Sequence, residues 1–201
     1  MRTTILAVVL AVAVARAVGG RLRNLPSERP RWWWLVPAAV VLLLAVQVLP
    51  VDDAAGGLTL VALAVLIAFA AANLRIVGMV VVLAGLTLNA GVILANGAMP
   101  VDREAVVAAG LAPREALTSL EPGPARRWRG PHDRVAALGD IVPVAPLGEV
   151  VSFGDLILAA GLANVTFRLL RPTGLRPVPR PRHRRAPRHR RPLLSMPFPA
   201  R

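Results

Sequence analysis

Long apolar segments with almost no charged residues recur along the chain. None of them alternates with a period of two, so the pattern favours helices over strands. Roughly 20 helical residues are needed to cross the hydrocarbon core of a bilayer, which is about 30 Å thick. The pattern therefore predicts an all-α, polytopic membrane protein with five transmembrane helices. We place them at about residues 3–18, 32–49, 58–72, 76–98 and 151–170, with a tight turn at 72–75 between the third and the fourth.

The first apolar segment has a second interpretation, as a cleaved signal peptide. It starts with Arg2 and contains small residues, Ala13 and Ala15, where a cleavage site would lie. Five arginines between Arg16 and Arg31 come directly after the apolar core, and basic residues there oppose export. An uncleaved transmembrane helix is therefore the better interpretation.

The composition agrees with lipid as the main solvent. Hydrophobic residues make up 55% of the chain and charged residues 17%, whereas a soluble domain carries about 25% charged residues. This balance argues against a soluble enzyme. The chain has no cysteine, which excludes disulfides, thiolate metal sites and cysteine nucleophiles.

The arginines indicate the orientation in the membrane. All 24 basic residues are arginines, and eleven of them lie in the segment 168–201, which has no acidic residue. The loop at 100–150 carries six arginines and seven acidic residues, so it is nearly neutral and can be exported. The bias of basic residues toward the cytoplasm then predicts an N-terminus outside the plasma membrane, an exported loop at 100–150 and a cytoplasmic C-terminus.

The C-terminal segment 171–201 combines arginine with frequent proline, which blocks helix and strand, so we predict a disordered basic tail. It lacks the regularly placed aromatic residues that bind single-stranded nucleic acid, which disfavours a nucleic-acid partner. The simplest interpretation is a topological anchor. If the tail has a ligand, anionic lipid headgroups are the expected one.

Within the exported loop, the pattern predicts a short amphipathic helix at 102–112 and a flexible, solvated excursion at 113–131. An apolar stretch at 135–146 lies either on the membrane surface or against the helices. The following Ser152 and Asp155 have the spacing of a helix capping box, which assigns Asp155 a structural role.

Small and amide residues lie on common faces of the fourth and fifth helices. Asn89 and Asn96 are seven residues apart, as are Gly154 and Gly161, and Gly85 lies four residues before Asn89. Such stripes favour close helix packing. Packing of these two helices would bring a polar cluster together at the outer face, and we predict that it consists of Asn89, Asn96, Asp140, Ser152 and Asp155.

Asp140 and Asp155 are the main catalytic candidates that the sequence offers, and His132 and Asp133 could supply a further proton carrier. Two carboxylates that share a site form an acid–base pair when their pKa values are split. His132, in a stretch rich in proline and arginine, is expected to be solvated. The sequence contains no phosphate-binding loop and no motif of a serine hydrolase or a zinc protease, and we predict no cofactor and no metal.

Several short motifs occur in a fixed order, and together they resemble an uncharacterised family of small bacterial integral membrane proteins, a domain of unknown function. The motifs are GGRL at 19–22, Asn89, NGAMPV at 96–101, LGDI at 138–141, SFGD at 152–155 and Gly161. The resemblance covers residues 1–170. Ala98 departs from the pattern, which suggests glycine there, and 122–131 is similar to an insertion. The resemblance implies an integral membrane protein and supplies no activity.

Three functional hypotheses follow from the sequence. The leading one is a non-enzymatic accessory or scaffold protein that lies in the bilayer and binds a membrane protein partner. The first alternative is a membrane-embedded enzyme that uses Asp140 and Asp155 on a lipid or peptide. The second alternative, a transporter subunit, is disfavoured because ionisable residues are scarce inside the predicted helices.

Overall fold

The computed structural model describes residues 2–21, 29–50 and 52–171. The predicted tail at 171–201 lies outside these ranges except for Arg171. Most of the described residues are helical, which confirms the expected class in its coarse form. The α-helices are α1 (Arg2–Ala17), α2 (Leu35–Val48), α3 (Ala55–Ala72), α4 (Met79–Asn96), α5 (Arg103–Ala108) and α6 (Phe153–Leu170).

Each of the five predicted apolar segments overlaps one helix, although α3 begins at Ala55, three residues before the predicted start at 58. By length and apolar composition, α3, α4 and α6 are able to cross a membrane, each with 18 residues. Helices α1 and α2 are shorter, with 16 and 14 residues. Membrane insertion of this chain is therefore supported by three helices, whereas five spans remain a prediction.

The five long helices form an open row. Packing contacts connect α2 to α3, α3 to α4, α4 to α6, and α6 to α1. Helices α1 and α2 thus stand at the two ends of the row. Many of their large apolar side chains are exposed, for example Leu10 and Val41, as expected for surfaces that face hydrocarbon.

The row has two chemically different ends. At one end, which we call the arginine end, Arg21 N–H donates to the carbonyl of Leu170 (3.1 Å), and Arg31 and Asn73 exchange hydrogen bonds of 2.8 Å. At the opposite end, the loop end, the carboxylate of Glu149 accepts hydrogen bonds from the backbone and hydroxyl of Thr3 (both 2.8 Å). These contacts show that the five long helices alternate in direction along the sequence, whereas α1 and α6, which are neighbours in the row, run in the same direction.

Residues 99–151 fold into a small layer over the loop end, which is a correction to the purely all-α prediction. The layer has four strands, β1 (Met99–Val101), β2 (Arg126–Trp128), β3 (Val142–Val144) and β4 (Glu149–Val151). Strands β1 and β2 pair in parallel, and β3 and β4 pair antiparallel. The predicted short helix is present as α5, with Asp102 as its N-cap.

The expectation of a flexible excursion at 113–131 was wrong, because β2 and a 3₁₀ turn at Arg114–Thr118 lie within it. Three ion pairs hold β2 and the residue that follows it. Arg126 pairs with Asp140, Arg127 with Asp133, and Arg129 with Asp102. Arginines that are expected to be solvated therefore connect distant parts of the layer.

The predicted close packing of the fourth and fifth apolar helices, α4 and α6, is confirmed. A Cβ atom on Gly85 would lie 2.6 Å from the backbone nitrogen of Leu158, and one on Gly161 would lie 2.7 Å from that of Val82. Any side chain at these positions would push the two backbones apart, so glycine is what permits this approach.

Candidate functional site

The N-terminus of α6 is fixed by a capping box, as the sequence predicts. The hydroxyl oxygen of Ser152 accepts a hydrogen bond from the backbone N–H of Asp155 (3.0 Å), and the carboxylate of Asp155 accepts one from the backbone N–H of Ser152 (3.3 Å). The positive end of the helix dipole also favours the charge of Asp155. The cap thus holds a carboxylate at the place where α6 begins.

Asn89 connects this cap to α4. The hydroxyl of Ser152 donates to the side-chain oxygen of Asn89 (2.8 Å), and the amide nitrogen of Asn89 donates to the carboxylate of Asp155 (2.7 Å). Asn89 and Ser152 are both buried. The short distance between the helices at Gly85 and Gly154 allows Asn89 to reach both partners.

Asp140 is placed by backbone pairing with β1. Its N–H donates to the carbonyl of Pro100 and its carbonyl accepts from the N–H of Asp102, each at 2.9 Å. The preceding Gly139 has no space for a side chain, because a Cβ there would lie 2.5 Å from the carbonyl oxygen of Pro100. The glycine before Asp140 therefore lets this segment pair closely with β1.

The carboxylate of Asp140 is buried and lies 3.0 Å from the Nε atom of Arg126. Burial raises the pKa of Asp140 to about 6, the guanidinium of Arg126 opposes the rise, and the charge of Asp155 adds to it. Asp140 is therefore a carboxyl group that changes protonation near neutral pH.

A cleft with a volume of about 390 Å³ opens at the loop end of the helix row. All five long helices contribute to its lining. The apolar walls include Ile5, Leu43, Leu63, Leu66, Ile93 and Leu158, and the polar groups include Gln47, Asn89, Arg126, Asp140 and Asp155. Because α1 and α2, which stand at opposite ends of the row, both line the cleft, the row curves around it.

A second cavity, of about 360 Å³, lies within the loop layer. Its lining includes Val106 of α5, Trp128 of β2 and Glu149 of β4, together with Arg2 of α1. Arg126 and Asp140 line both this cavity and the cleft. Their ion pair therefore separates the two spaces.

The structure brings Asn89, Asp140, Ser152 and Asp155 together, but it places Asn96 elsewhere. Asn96 is the last residue of α4, and its side chain exchanges hydrogen bonds of 2.8 Å with the backbone of Arg134. It therefore ties the loop layer to the helix and does not join the cluster predicted from its helical face.

Two residues of the site were not predicted from the sequence. Arg126 lies in the segment that was expected to be solvated, and Gln47 lies in the apolar α2. The near balance of arginines and acidic residues in the loop was a signal that ion pairs form there. In the described ranges, no group of three or more histidine, cysteine or acidic residues is arranged to hold a metal ion.

Comparison with known proteins identifies a family. No curated protein and no solved structure matches the chain. The model of a family of unknown function, DUF5317, matches residues 30–167. This range includes α2 to α5, the loop layer and nearly all of α6, which is more than half of the chain. The chain belongs to the DUF5317 family of unknown function.

Proposed function

We propose that this chain is a five-span integral protein of the plasma membrane with its N-terminus and loop layer outside and its tail in the cytoplasm. The alternating directions of the helices and the unequal charge of the two ends support the proposal. At the arginine end, the basic residues are Arg16, Arg21, Arg29, Arg31, Arg75, Arg168 and Arg171. The described acidic residues all lie at the loop end. The loop end also carries seven described arginines, but the ten acidic residues there leave it with a net negative charge, whereas the arginine end is positive. The positive end is expected to stay in the cytoplasm.

Aromatic residues support the same orientation. Trp32, Trp33 and Trp34 precede α2 at the arginine end and are about half exposed. The guanidinium of Arg29 lies 4.8 Å from the ring centre of Trp33. Tryptophan and arginine are typical of the headgroup region. A reporter fused after Arg201 is expected to be active only in the cytoplasm, and external activity would overturn this orientation.

Within this frame, the protein acts as a non-enzymatic accessory protein that binds a membrane amphiphile in the cleft. The carrying observation is the cleft itself, whose apolar walls end at a cluster of polar groups. Pockets with a mostly apolar lining and a few convergent polar groups are the usual form of small-molecule sites. A hydrocarbon chain fits the walls, and a polar headgroup fits the cluster.

The open side of the helix row gives this ligand a path. The row ends at α1 and α2, and in the proposed orientation an opening between these two helices would face the outer half of the bilayer. The lining of the cleft reaches only to Leu66, Leu86 and Leu158, near the middle of their helices. A cleft that ends in the middle of the helices does not lead across the bilayer. Its depth therefore favours a ligand that enters from the bilayer and argues against a transporter subunit.

A pair of variants on one helix tests the binding of an amphiphile. Leu43 lines the cleft, whereas the adjacent Leu44 is 55% exposed and does not line it. We expect Leu43→Trp to fill the cleft and to abolish lipid retained by the purified protein in native mass spectrometry. Leu44→Trp is expected to retain the lipid of the unmodified chain. Equal retention in both variants would overturn the proposal.

A second candidate function is acid–base catalysis on the bound amphiphile. The observation that favours it is a carboxyl group with a raised pKa, Asp140, in the same cavity as Asp155. Under this alternative, incubation with membrane lipids yields a chemically altered lipid, and Asp140→Asn and Asp155→Asn abolish the change while lipid binding persists. Unaltered lipid after incubation with the unmodified chain would leave binding as the function.

A further inference from the structure

The charged side chains that line the cleft are mostly acidic. Two carboxylates, Asp140 and Asp155, line it with one guanidinium, that of Arg126. Arg126 pairs with Asp140 through its Nε atom. Among the described residues, the donors to Asp155 are neutral: the amide of Asn89 and the backbone N–H of Ser152. The helix dipole and these hydrogen bonds stabilise the charge of Asp155, and a cationic ligand would add a charge-assisted partner to them.

The hydrogen bonds of the cluster also have a fixed direction. The hydroxyl oxygen of Ser152 accepts from a backbone N–H, so its own hydrogen donates to the side-chain oxygen of Asn89. The amide nitrogen of Asn89 therefore faces Asp155 and donates to it. The remaining lone pairs of Asp155 are hydrogen-bond acceptors, so the cluster is complementary to a cationic donor.

We infer that the cleft selects a phospholipid with a primary amine in its headgroup, such as phosphatidylethanolamine. The inference deepens the proposed function and rests on it. The ammonium group binds the carboxylate of Asp155 by charge-assisted hydrogen bonds. The phosphate binds the guanidinium of Arg126, which is 47% exposed. The acyl chains lie along Leu43, Leu66 and Leu158.

Two other common headgroups lack part of this complementarity. Phosphatidylcholine has the same net charge, but its quaternary nitrogen has no N–H to donate. Phosphatidylglycerol has hydroxyl donors but no positive charge for Asp155, and its net negative charge is repelled by the two carboxylates. Selection among these three lipids therefore isolates the contribution of the ammonium group.

The experiment offers the full-length chain, purified in detergent, an equimolar mixture of the three phospholipids with identical acyl chains. Native mass spectrometry measures the lipid that stays bound. We expect phosphatidylethanolamine to be retained about tenfold over each of the other two, the ratio that about 1.4 kcal/mol of differential binding gives. Stepwise N-methylation of the ethanolamine is expected to lower retention with each N–H removed.

Charge variants test which residue is responsible for the headgroup preference. Asp155→Asn removes the charge and is expected to bring the three lipids to nearly equal retention, while Asp155→Glu keeps the preference. Asp53→Asn, at an exposed position of the loop end, is the matched control and is expected to keep the preference. If Asp155→Asn does not fold, the N-methylation series on the unmodified chain still decides.

The outcomes separate the two levels of the proposal. Lipid retained by the unmodified chain without headgroup preference would overturn the amine inference and leave the amphiphile site standing. A preference that Asp155→Asn does not change would overturn the role of Asp155. No retained lipid at all would overturn the proposed function itself.

Discussion

The two sides of the helix row differ in how closely their helices approach. On one side, glycines at α4 and α6 bring two backbones together and leave no space for a Cβ at Gly85. On the other side, α1 and α2 are lined by larger residues such as Ile5 and Leu43, and a cleft of about 390 Å³ lies between them and the rest of the row. The comparison shows that small residues close one part of this bundle while the opposite part is left open for a ligand.

The largest effect on stability is expected when the closely packed helices α4 and α6 are forced apart. Gly85→Leu places a side chain against the backbone of α6 and should lower the free energy of unfolding by about 3 kcal/mol or more, as overpacking of a dense interface does. A Cβ on Gly91, also in α4, would have no atom within 4 Å, so Gly91→Leu should not destabilise the protein. Denaturation in mixed micelles measures both, and equal losses would contradict the close packing of α4 and α6.

The next largest effect on stability is expected at Asp140, which lines the cleft. The folded state raises the pKa of Asp140 from 3.8 to about 6, so it binds the proton more tightly than the unfolded state does. The contribution of Asp140 to stability is therefore greatest below pH 3.8 and is lost as the pH rises through 6. The loss amounts to about 3 kcal/mol at full ionisation.

Comparison with Asp140→Asn isolates this contribution from other titrating groups. Between about pH 4 and pH 7, the unfolding free energy of the unmodified chain should fall relative to that of the variant. A difference between the two proteins that stays constant over this range would show that Asp140 ionises in the folded protein as it does in water.

A smaller effect on stability is expected at Ser152, which caps α6 and hydrogen-bonds Asn89 of α4. Ser152→Ala removes the cap of α6, worth about 1 kcal/mol, and leaves the buried oxygen of Asn89 without its donor, at a similar cost. We expect a total loss of about 2 kcal/mol in the free energy of unfolding. Ser119→Ala, at an exposed turn, is the control and should change it by less than about 0.5 kcal/mol.

The smallest effect on stability is expected at a residue that lines the cleft. Because Leu43 borders empty space, Leu43→Trp should change the free energy of unfolding by less than about 1 kcal/mol, as should Leu44→Trp at the outer surface. If Leu43→Trp lowered the free energy of unfolding as much as Gly85→Leu does, the cleft would be closed in solution. The contrast between the close packing of α4 with α6 and the open cleft would then disappear.

The sequence predicted those features that depend on local pattern. Helix α4 at Met79–Asn96 falls within the predicted 76–98, because an apolar run and a glycine stop mark its limits. The capping box of Ser152 and Asp155 and the glycines of α4 and α6 follow from spacing alone. Such features repeat at a helical period or lie within one turn, so a single segment contains the whole signal.

The features that the sequence did not predict depend on distant segments. Strands β1 and β2 have three residues each and pair across more than twenty residues, too short a run to show alternation. The pairing of Arg126 with Asp140 follows from that register. The position of Asn96 depended on where α4 ends, since a residue at the helix terminus turns to the loop backbone. The cleft, which is lined by all five long helices, has no local signature.

Photo-crosslinking tests most directly whether a lipid occupies the cleft. A phospholipid with a photoreactive group in the middle of one acyl chain is added at one equivalent to the delipidated, purified protein, and the modified residues are identified by mass spectrometry. We expect adducts concentrated on residues that line the cleft, such as Leu43, Leu66 and Leu158. Adducts confined to outward-facing residues, such as Leu44 and Leu94, would contradict a lipid in the cleft.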